Sequence, residues 1–468
     1  MKDPVVSRVE GRPALLLGAF DLAQVGYQAE EFFISGSATS YAPASDLGSD
    51  GRWSVTVAGT ADFVTRMVVL KPVDSAKFNG TVLIEWLNVT GGLDAPAEWF
   101  MAHREIIRAG YVYIAVSVQR VGVEGGLSRG ADMSLKTTHP QRYSRLSHPG
   151  DAFAYDIYSQ AGMAVRNTKG NGILGSLNPV HVLAAGESQS AMFLTTYVNA
   201  VDPLARVYDG FLIHSRFASA APLDGSSIFE RSNALMPEAP QFRTDLRVPL
   251  MNVITETDLI GGPRLGYCRA RQPDGERLRT WEIPGTAHAD SYTIQVSRID
   301  TGLAPLADLV AAYAPTTQLM GTELAQSINF APQHHYVVQA ALAALHRGVR
   351  TDDPAPNAPR MQLSDSDSPQ LVLDENGLAA GGIRTPWIDV PVARTSGVGN
   401  DKSILASLFG TGELFDATTL RRLYPGGSAQ YLTRFGNALD AAIGRGFILP
   451  ADRQEILELA AAMYPGRQ

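Results

Sequence analysis

The feature that most constrains the fold of this chain is the alternation of apolar runs with helical stretches between about residues 80 and 284. The runs "GTVLIEWLN", "YVYIAVSVQ", "HVLAA", "DGFLIHSRF", "VPLMNVIT" and "RTWEIPG" are typical of buried strands, and "APAEWFMAHREIIRAG" and "DAFAYDIYSQAGMAVRN" are typical of helices. Strands that alternate with helices form a mostly parallel sheet with helices on both faces. The sequence therefore predicts the α/β class.

Three further segments precede this alternation and resemble antiparallel strands. They are "EFFISGSATSY", "WSVTVAG" and "FVTRMVVLKP", which are rich in β-forming residues and bounded by Gly, Ser or Pro. An antiparallel start followed by strand–helix alternation is the sheet plan of the α/β-hydrolase fold. We expect a core of this fold over residues 1–300 and a mainly helical extension over 301–468 with a β-hairpin-like segment near Asn376–Gly377.

The composition excludes several kinds of partner and cofactor. A hydrophobic content of 45% and a charged content of 18% are those of an ordinary globular protein. The net charge of −8 argues against nucleic acid, whose binding depends on clustered Lys and Arg. Cys268 is the only cysteine, so no internal disulfide and no cysteine-built metal site can form. With no glycine-rich phosphate loop or metal-ligand cluster, we expect neither a metal nor a cofactor.

The beginning of the chain does not resemble a signal peptide. "MKDPVVSRVEGRPALLLGAF" has an acid at position 3 and only a brief apolar run. No apolar stretch reaches membrane-spanning length. We expect a cytoplasmic protein without a membrane partner, with secretion left open, and the sequence leaves the oligomeric state open.

The stretch "HVLAAGESQSAMFL" places a serine between a strand and a helix. Ser188 occupies the turn, as the nucleophile does in the elbow motif G-x-S-x-G. Ser190 replaces the last glycine, and serine is small enough for the close approach of strand and helix. Ser188 is therefore the candidate nucleophile, although a polar residue at a tight turn would give the same pattern.

A serine nucleophile needs a base and an orienting carboxylate, which follow in the order Ser, Asp or Glu, His in this fold. "VPLMNVIT" is followed by "ETDLIGG", which supplies Glu256 and Asp258, and "RTWEIPG" is followed by "TAHADSY", which supplies His288. We favour His288 as the base over the other eight histidines because it follows a strand end. We favour Asp258 as the acid because it lies a few residues past the strand, with Glu256 as the alternative.

The loop "NVTGGLDAPAEW" after "GTVLIEWLN" is the candidate oxyanion loop. Asn88, Thr90 and Gly91 lie in a small glycine-bearing segment of the kind that donates backbone N–H groups in esterases. The backbone of Gln189, directly after the nucleophile, would supply the second donor. A plain turn is the alternative interpretation.

A charged residue inside the same strand needs its own explanation. Glu85 lies in the apolar run "VLIEWLN", and a buried carboxylate must be paired or neutralised. Arg66, in the strand-like "VTRMVV", is the predicted partner, and we interpret the pair as structural.

The extension contains a stiff, glycine- and proline-rich segment, "GGIRTPWIDVPVA". We expect the extension to pack over the active site, with Trp387 lining an apolar acyl pocket and Arg384 holding a carboxylate or polar substrate group. The alternative is that Trp387 anchors the segment and Arg384 pairs with an acid.

Over most of its length the chain resembles a family of bacterial α/β-hydrolase-domain proteins with a long C-terminal extension. The resemblance is carried by "FNGTVLIEWLNVTGG", "AYDIYSQAG", "AAGESQSA", "GFLIHSR", "ITETD", "GTAHAD", "GGIRTPWIDVPVAR" and the C-terminal "LYP…Y…RF". It implies a serine hydrolase, specifically a carboxylic-ester hydrolase, with Ser188 and His288 at the matching motif positions. "GESQS" resembles the family's own form of the elbow. The resemblance leaves the substrate and the acid open.

Together these patterns predict a serine esterase that cleaves a small-molecule ester through an acyl-enzyme. Acyl transfer by the same triad is the alternative, and a non-catalytic binding protein of the same fold would be favoured only by a missing triad member. Serine rather than aspartate at the nucleophile position argues against epoxide hydrolase or haloalkane dehalogenase chemistry.

Overall fold

The computed structural model of the protein describes residues 3–18, 21–126, 132–167, 172–228 and 236–465. The chain forms two compact units. The first consists of Met1–Leu250, Ala270–Leu278 and Leu345–Asp353, and the second consists of Met251–Arg269, Arg279–Ala344 and Pro354–Gln468. The functional division into a core at 1–300 and an extension at 301–468 stays a prediction.

The first unit is built on a sheet with an antiparallel start. Its strands are β1 (Val5–Val9), β2 (Tyr27–Pro43), β3 (Val55–Pro72), β4 (Thr81–Trp86), β5 (Val112–Val116), β6 (His181–Glu187) and β7 (Gly210–His214). They lie in the order β1-β2-β3-β5-β4-β6-β7. The pairs from β1 to β5 are antiparallel and the pairs from β5 to β7 are parallel. The predicted α/β-hydrolase fold class, with antiparallel N-terminal strands, is confirmed.

Two of the predicted N-terminal strands are one strand. "WSVTVAG" and "FVTRMVVLKP" both belong to β3, which pairs with β2 from Val55 to Pro72. The pairing with β2 continues through Gly59 and through residues 60–62, which separate the two runs. It does so because β2 is long enough to pair with the whole stretch. A register shift at Ser40/Tyr41 is the one irregularity in this pairing.

Helices follow or precede the parallel strands as the sequence predicts. Those of the first unit are α1 (Ala97–Ala109), α2 (Arg120–Glu124), α3 (Leu135–Thr138), α4 (Pro140–Tyr143), α5 (Ala154–Arg166), α6 (Gln189–Thr196) and α7 (Asp202–Ala205). An aromatic cluster joins α5 and α6 to the sheet, since the Trp86 ring lies 5.0 Å from that of Tyr158 and 5.2 Å from that of Phe193. Aromatic pairs of this kind add about 0.5–1.5 kcal/mol each beyond their buried area. The core therefore fixes α6, which begins directly after Ser188.

The second unit contains two further strands of the alternation and most of the C-terminal elements. Its strands are β8 (Leu250–Thr255), β9 (Leu278–Ile283), β10 (Gln318–Leu319), β11 (Thr322–Glu323), β12 (Ala393–Ser396) and β13 (Thr411–Leu414), of which β8 and β9 begin in the first unit. Its helices are α8 (Glu256–Ile260), α9 (Ser291–Ile294), α10 (Leu306–Ala312), α11 (Gln333–Thr351), α12 (Pro386–Asp389), α13 (Ala417–Leu423), α14 (Gly427–Gly444) and α15 (Arg453–Ala462), and α11 ends in the first unit. Strands β8 and β9 are hydrogen-bonded neighbours.

A hairpin-like segment lies where the sequence predicts one. Antiparallel bridges join Leu373 to Ala379 and Met361 to Gly381, on either side of the turn closed by Gly377 N–H on Asp374 O. In the parts of the chain that the structure describes, no helix is both long and apolar enough to cross a membrane.

The predicted pairing of Glu85 with Arg66 is wrong. Strand β5 lies between β3, which carries Arg66, and β4, which carries Glu85, so the two side chains are not on adjacent strands. Arg66 instead lies 3.3 Å from Glu31 and 3.1 Å from Asp94 in a buried ion cluster.

The Glu85 carboxylate is held by donors from the next helix and the neighbouring strand. It accepts hydrogen bonds from the backbone N–H groups of Glu98 (2.9 Å) and Trp99 (3.1 Å), in the first turn of α1, and from the Tyr113 hydroxyl (2.5 Å). Burial raises the pKa of the Glu85 carboxyl to about 8, against the opposing effect of these donors. The side chain therefore ties β4 to the start of α1.

This carboxyl predicts a pH dependence of stability. Below about pH 4.5 Glu85 is protonated in both the folded and the unfolded chain. Between that pH and about 8 only the unfolded chain loses the proton. The contribution of Glu85 to the free energy of unfolding therefore falls as the pH rises, by about 1.4 kcal/mol per pH unit. Glu85→Gln, which cannot titrate, should flatten this part of the dependence measured by urea unfolding. Glu10→Gln, at a highly exposed site, is the control and should keep the wild-type slope. An unchanged slope in Glu85→Gln would contradict the assignment.

Candidate functional site

Ser188 occupies a strained turn between β6 and α6 in the first unit. Its φ of 59° and ψ of −115° lie in a region that residues with a side chain rarely adopt. The Ser188 N–H donates to His214 O at the end of β7 (2.9 Å), and Ser188 O accepts from the Met192 N–H (3.2 Å). The turn is therefore fixed on both sides, as the nucleophile elbow requires.

The close approach of strand and helix explains which flanking residues the turn accepts. A Cβ atom at Gly186 would lie 2.9 Å from Leu194 Cδ1 and 3.0 Å from Ser190 Cβ. A side chain at position 186 would force Leu194 or Ser190 to move, so the close packing favours glycine there, and the small Ser190 is buried beside it. Serine in place of the motif's last glycine is compatible with the elbow geometry.

The predicted oxyanion loop is bound to the residues that flank Ser188. Asn88 Nδ2 donates to Glu187 O (3.2 Å), and the Val89 N–H donates to Gln189 Oε1 (3.0 Å). The Thr90 N–H donates to Asn88 Oδ1 (2.8 Å), so this amide is already engaged. The structure thus brings the loop of Asn88, Thr90 and Gly91 together with Gln189.

The candidate donors for a ligand are backbone amides at the start of α6 and at the tip of the loop. Gln189 is the first residue of α6, a position at which the N–H has no acceptor within the helix. Gly91 is an exposed residue at the tip of the loop. Within the described ranges its N–H makes no hydrogen bond to a backbone carbonyl.

The second unit brings Asp258 and His288 together. Asp258 lies in the first turn of α8, directly after β8, and His288 lies in the loop after β9. His288 Nδ1 is 2.6 Å from Asp258 Oδ1, and the two side chains are 5% and 0% exposed. A carboxylate on Nδ1 fixes the imidazole with its proton on that atom and leaves Nε2 as the basic nitrogen.

The two oxygens of Asp258 have separate partners. While Oδ1 contacts His288, Oδ2 accepts hydrogen bonds from the N–H (2.9 Å) and the hydroxyl (2.7 Å) of Thr255. Burial acts to raise the pKa of the Asp258 carboxyl, but His288 and the hydrogen bonds outweigh it and hold that pKa below its usual value. Thr255 was not among the predicted site residues, although T-x-x-D directly after a strand is the sequence signal of a capping box.

Glu256, the alternative acid, has other partners. Its Oε1 accepts from the Gly285 N–H (2.5 Å), and its Oε2 accepts from the Gly397 N–H (2.8 Å) and the Ser396 hydroxyl (2.7 Å). Burial raises the pKa of this carboxyl, against the effect of the three donors. Of the two acids after β8, the one in contact with His288 is Asp258.

Two other buried histidines contact carboxylates. His214 Nδ1 lies 3.1 Å from Glu98 Oε1, and His334 Nδ1 lies 3.3 Å from Asp290 Oδ2. His214 lies within β7 and His334 within α11, whereas His288 lies in a loop that follows a strand. In the described ranges no group of three or more His, Cys, Asp or Glu side chains could hold a metal ion.

Trp387 and Arg384 make contacts inside the second unit. The Trp387 ring stacks on Tyr336 (5.8 Å, 9°) and meets Phe435 edge-on (5.4 Å, 87°). Arg384 Nε lies 2.7 Å from Asp389 Oδ1, and an Arg384 terminal nitrogen donates to a backbone carbonyl. These contacts are those of the anchoring alternative, and the predicted pocket role stays a prediction.

The sequence and the fold resemble those of known proteins to different extents. No curated protein matches the sequence. Solved structures that resemble the chain include a glucuronoyl esterase from Solibacter usitatus (12% identity, 54% of this chain and 68% of the other, TM-score 0.29) and acetyl xylan esterase 1 from a Thermoanaerobacterium species (10%, 60% and 80%, TM-score 0.28). A third is a structure from a study of two fungal esterases from Rhizomucor miehei (14%, 68% and 85%, TM-score 0.29). Likeness at this level carries no argument about activity or substrate.

The family match is of a different extent, because the sequence pattern of the α/β hydrolase domain covers residues 1–458. It confirms the resemblance found in the motifs, and this chain belongs to the α/β hydrolase domain family.

Proposed function

We propose that the protein is a serine esterase that cleaves a small-molecule ester through an acyl-enzyme on Ser188. The observation that carries the proposal is the backbone of Ser188, with φ 59° and ψ −115° at the tip of a strand–helix turn. Such a conformation costs about 1–3 kcal/mol and persists where surrounding contacts enforce it. In an α/β hydrolase domain, this turn presents a nucleophile.

The proposed first step is attack of Ser188 Oγ on the ester carbonyl carbon. His288 Nε2 takes the hydroxyl proton, and Asp258 stabilises the imidazolium that forms, since its carboxylate already lies 2.6 Å from Nδ1. The tetrahedral intermediate collapses with loss of the alcohol, which receives the proton from His288. The acyl group then remains on Ser188.

The negative oxygen of the intermediate needs donors that are in place before the reaction. We assign this role to the backbone N–H of Gln189 and to the loop of Asn88, Thr90 and Gly91. The hydrogen bond from the Val89 N–H to Gln189 Oε1 supports the assignment, because it holds the loop beside the nucleophile turn.

In the second half of the reaction, water replaces the alcohol. His288 Nε2 takes a proton from the attacking water, and the second tetrahedral intermediate expels Ser188 Oγ, which recovers its proton from His288. The products are a carboxylic acid and an alcohol. Acyl transfer would differ only in using a second alcohol or a thiol in place of water.

Labelling should identify the nucleophile. A fluorophosphonate reacts with an activated serine, so the peptide that carries Ser188 should gain the mass of the probe in wild type and not in Ser188→Ala. Hydrolysis of a panel of p-nitrophenyl esters should be abolished in the same variant. Ser190→Ala, two residues away, is the matched control and should still be labelled. Labelling of another serine with Ser188 unmodified would refute the assignment.

Removing the charge of Asp258 should lower kcat by about 10⁴-fold while the fold persists. In Asp258→Asn the amide oxygen can keep the hydrogen bonds from Thr255, so the amide NH₂ faces His288 Nδ1. The imidazole must then carry its proton on Nε2, where it cannot act as a base. Steady-state kinetics and far-UV circular dichroism measure both outcomes. A full loss in Glu256→Gln with a mild one in Asp258→Asn would identify Glu256 as the acid.

The role of Trp387 is decided by comparing stability with acyl-chain preference. Because its half-buried ring packs on Tyr336 and Phe435, Trp387→Ala should lower the free energy of unfolding, by less than the about 3–5 kcal/mol of a fully buried Trp→Ala change, and leave the acyl-chain preference unchanged. Trp387→Phe is the control and should lose less. Altered chain-length preference at wild-type stability, in Trp387→Ala or Arg384→Ala, would support a pocket role instead.

A further inference from the structure

We propose that Glu256 is a positioning residue, which fixes the segment Ser396–Gly397 against the first turn of α8, which carries Asp258, and against the loop that carries His288. The inference rests on the proposed esterase function, since it assigns to Glu256 a role in placing that acid–base pair. It also explains why two carboxylates follow β8 although only Asp258 contacts His288.

The contacts of Glu256 join three separate parts of the second unit. The residue lies one position before Thr257 and two before Asp258, in the first turn of α8. Through Oε1 it binds the Gly285 N–H, at the start of the loop that carries His288. Through Oε2 it binds the Gly397 N–H and the Ser396 hydroxyl, which lie more than 100 residues further along the chain. One buried side chain thus connects the first turn of α8, the loop that carries His288 and the end of β12.

Thr257 makes a second connection between the same parts. Its hydroxyl donates to Gly397 O (2.6 Å), and its Oγ1 accepts from the His288 N–H (3.1 Å). The backbone of the catalytic base is therefore held by a side chain that is itself held by Gly397. Displacing Gly397 would release both connections.

The packing at Gly397 leaves no freedom for this segment to shift inward. A Cβ atom there would lie 2.4 Å from Thr257 N, 2.4 Å from Thr286 O and 2.7 Å from Glu256 Cβ. Backbone atoms of Thr257 in α8 and of Thr286 in the loop after β9 thus lie directly against Gly397. The absence of a side chain at this position is what lets the three parts meet.

The same segment forms a wall of a cavity of about 600 Å³ in the second unit. Its lining includes Thr257 together with Gly397, Val398 and Gly399, which follow directly after Ser396. Because Gly397 lines this cavity and Glu256 bonds both the Gly397 N–H and the Gly285 N–H, Glu256 ties one part of the cavity lining to the loop that carries His288. We therefore expect its loss to affect substrate binding as well as the chemical step.

A carboxylate is required because three donors point at two oxygens. An amide in its place offers one oxygen and turns an NH₂ group toward at least one of the N–H groups of Gly285 and Gly397. Glu256→Gln keeps the size of the side chain and breaks part of the connection. Ser396→Ala removes one of the three donors and leaves the carboxylate, so its effect should be smaller.

The experiment combines kinetics with a spectroscopic measurement on the base. In Glu256→Gln we expect kcat/KM to fall by about 10²-fold, with kcat lowered and KM raised, because a small displacement of catalytic groups has effects of this size. Ser396→Ala should show the same split at smaller magnitude. Glu375→Gln, at an exposed position in the second unit, is the control and should match wild type.

Proton NMR gives a signal that a purely structural role would not move. The Nδ1 proton of His288, shared with Asp258, should give a far-downfield resonance that is identified by its loss in Asp258→Asn. In Glu256→Gln, well below the melting temperature, this resonance should shift or broaden. A lowered melting temperature with unchanged resonance, kcat and KM would overturn the proposal.

Failure of this proposal can be separated from failure of the proposed function. If Ser188→Ala retains esterase activity, the proposed function is wrong and the kinetic part of this inference falls with it. If Ser188 is labelled and required while Glu256→Gln has wild-type kinetics and resonance, the esterase stands and the positioning role is wrong. The positioning role would also be overturned if kcat fell as far in Glu256→Gln as in Asp258→Asn and the His288 Nδ1 resonance were lost in both variants. Glu256 would then act on His288 as directly as Asp258 does.

Discussion

Buried carboxylates at strand ends are the constraint on which this structure depends. A carboxyl group buried away from water needs hydrogen-bond donors around it, and the backbone amides and hydroxyls near the strand end are the closest ones. Glu85 takes the first-turn amides of α1, Asp258 takes the amide and hydroxyl of Thr255, and Glu256 takes amides of two separate segments. Each carboxylate therefore fixes the direction in which the chain leaves its strand. The groups proposed for catalysis lie at those exits.

The sequence predicts the fold class well because the hydrophobic pattern is determined locally. Short apolar runs alternate with helical stretches, and each of the six runs from "GTVLIEWLN" to "RTWEIPG" contains a strand. What the pattern does not contain is strand order. Glu85 was predicted to pair with Arg66 because their strands are consecutive in the chain, whereas β5 returns to lie between them. Pairing across a sheet depends on topology, which a single sequence specifies only indirectly.

The same distinction applies to the candidate site. The strand–turn–helix pattern favours Ser188 as the candidate nucleophile, and a position after a strand end favours His288 over the eight other histidines as the candidate base. The choice between Glu256 and Asp258 depends on side-chain direction in the first turn of α8, where residues two apart point to different sides. The capping-box pattern T-x-x-D was a usable signal, because it predicts that Asp258 folds back toward the strand end. The donors to Glu256 lie at residues 285, 396 and 397, and such long-range contacts leave no trace in the local pattern.

The cost of the turn at Ser188 gives the strongest physical reason to regard that serine as more than a polar turn residue. A glycine would adopt φ 59° and ψ −115° with less strain, and glycine already stands two positions earlier where close packing demands it. The strain is held by the hydrogen bond to His214 O, by the packing of Gly186 on Leu194, and by the aromatic contacts of Trp86 with Phe193. A chain that needed only a tight turn here would be more stable with glycine at position 188. We infer that the hydroxyl, rather than the turn, is what the serine contributes, and that the rigid core around α6 is what allows a strained residue to persist there.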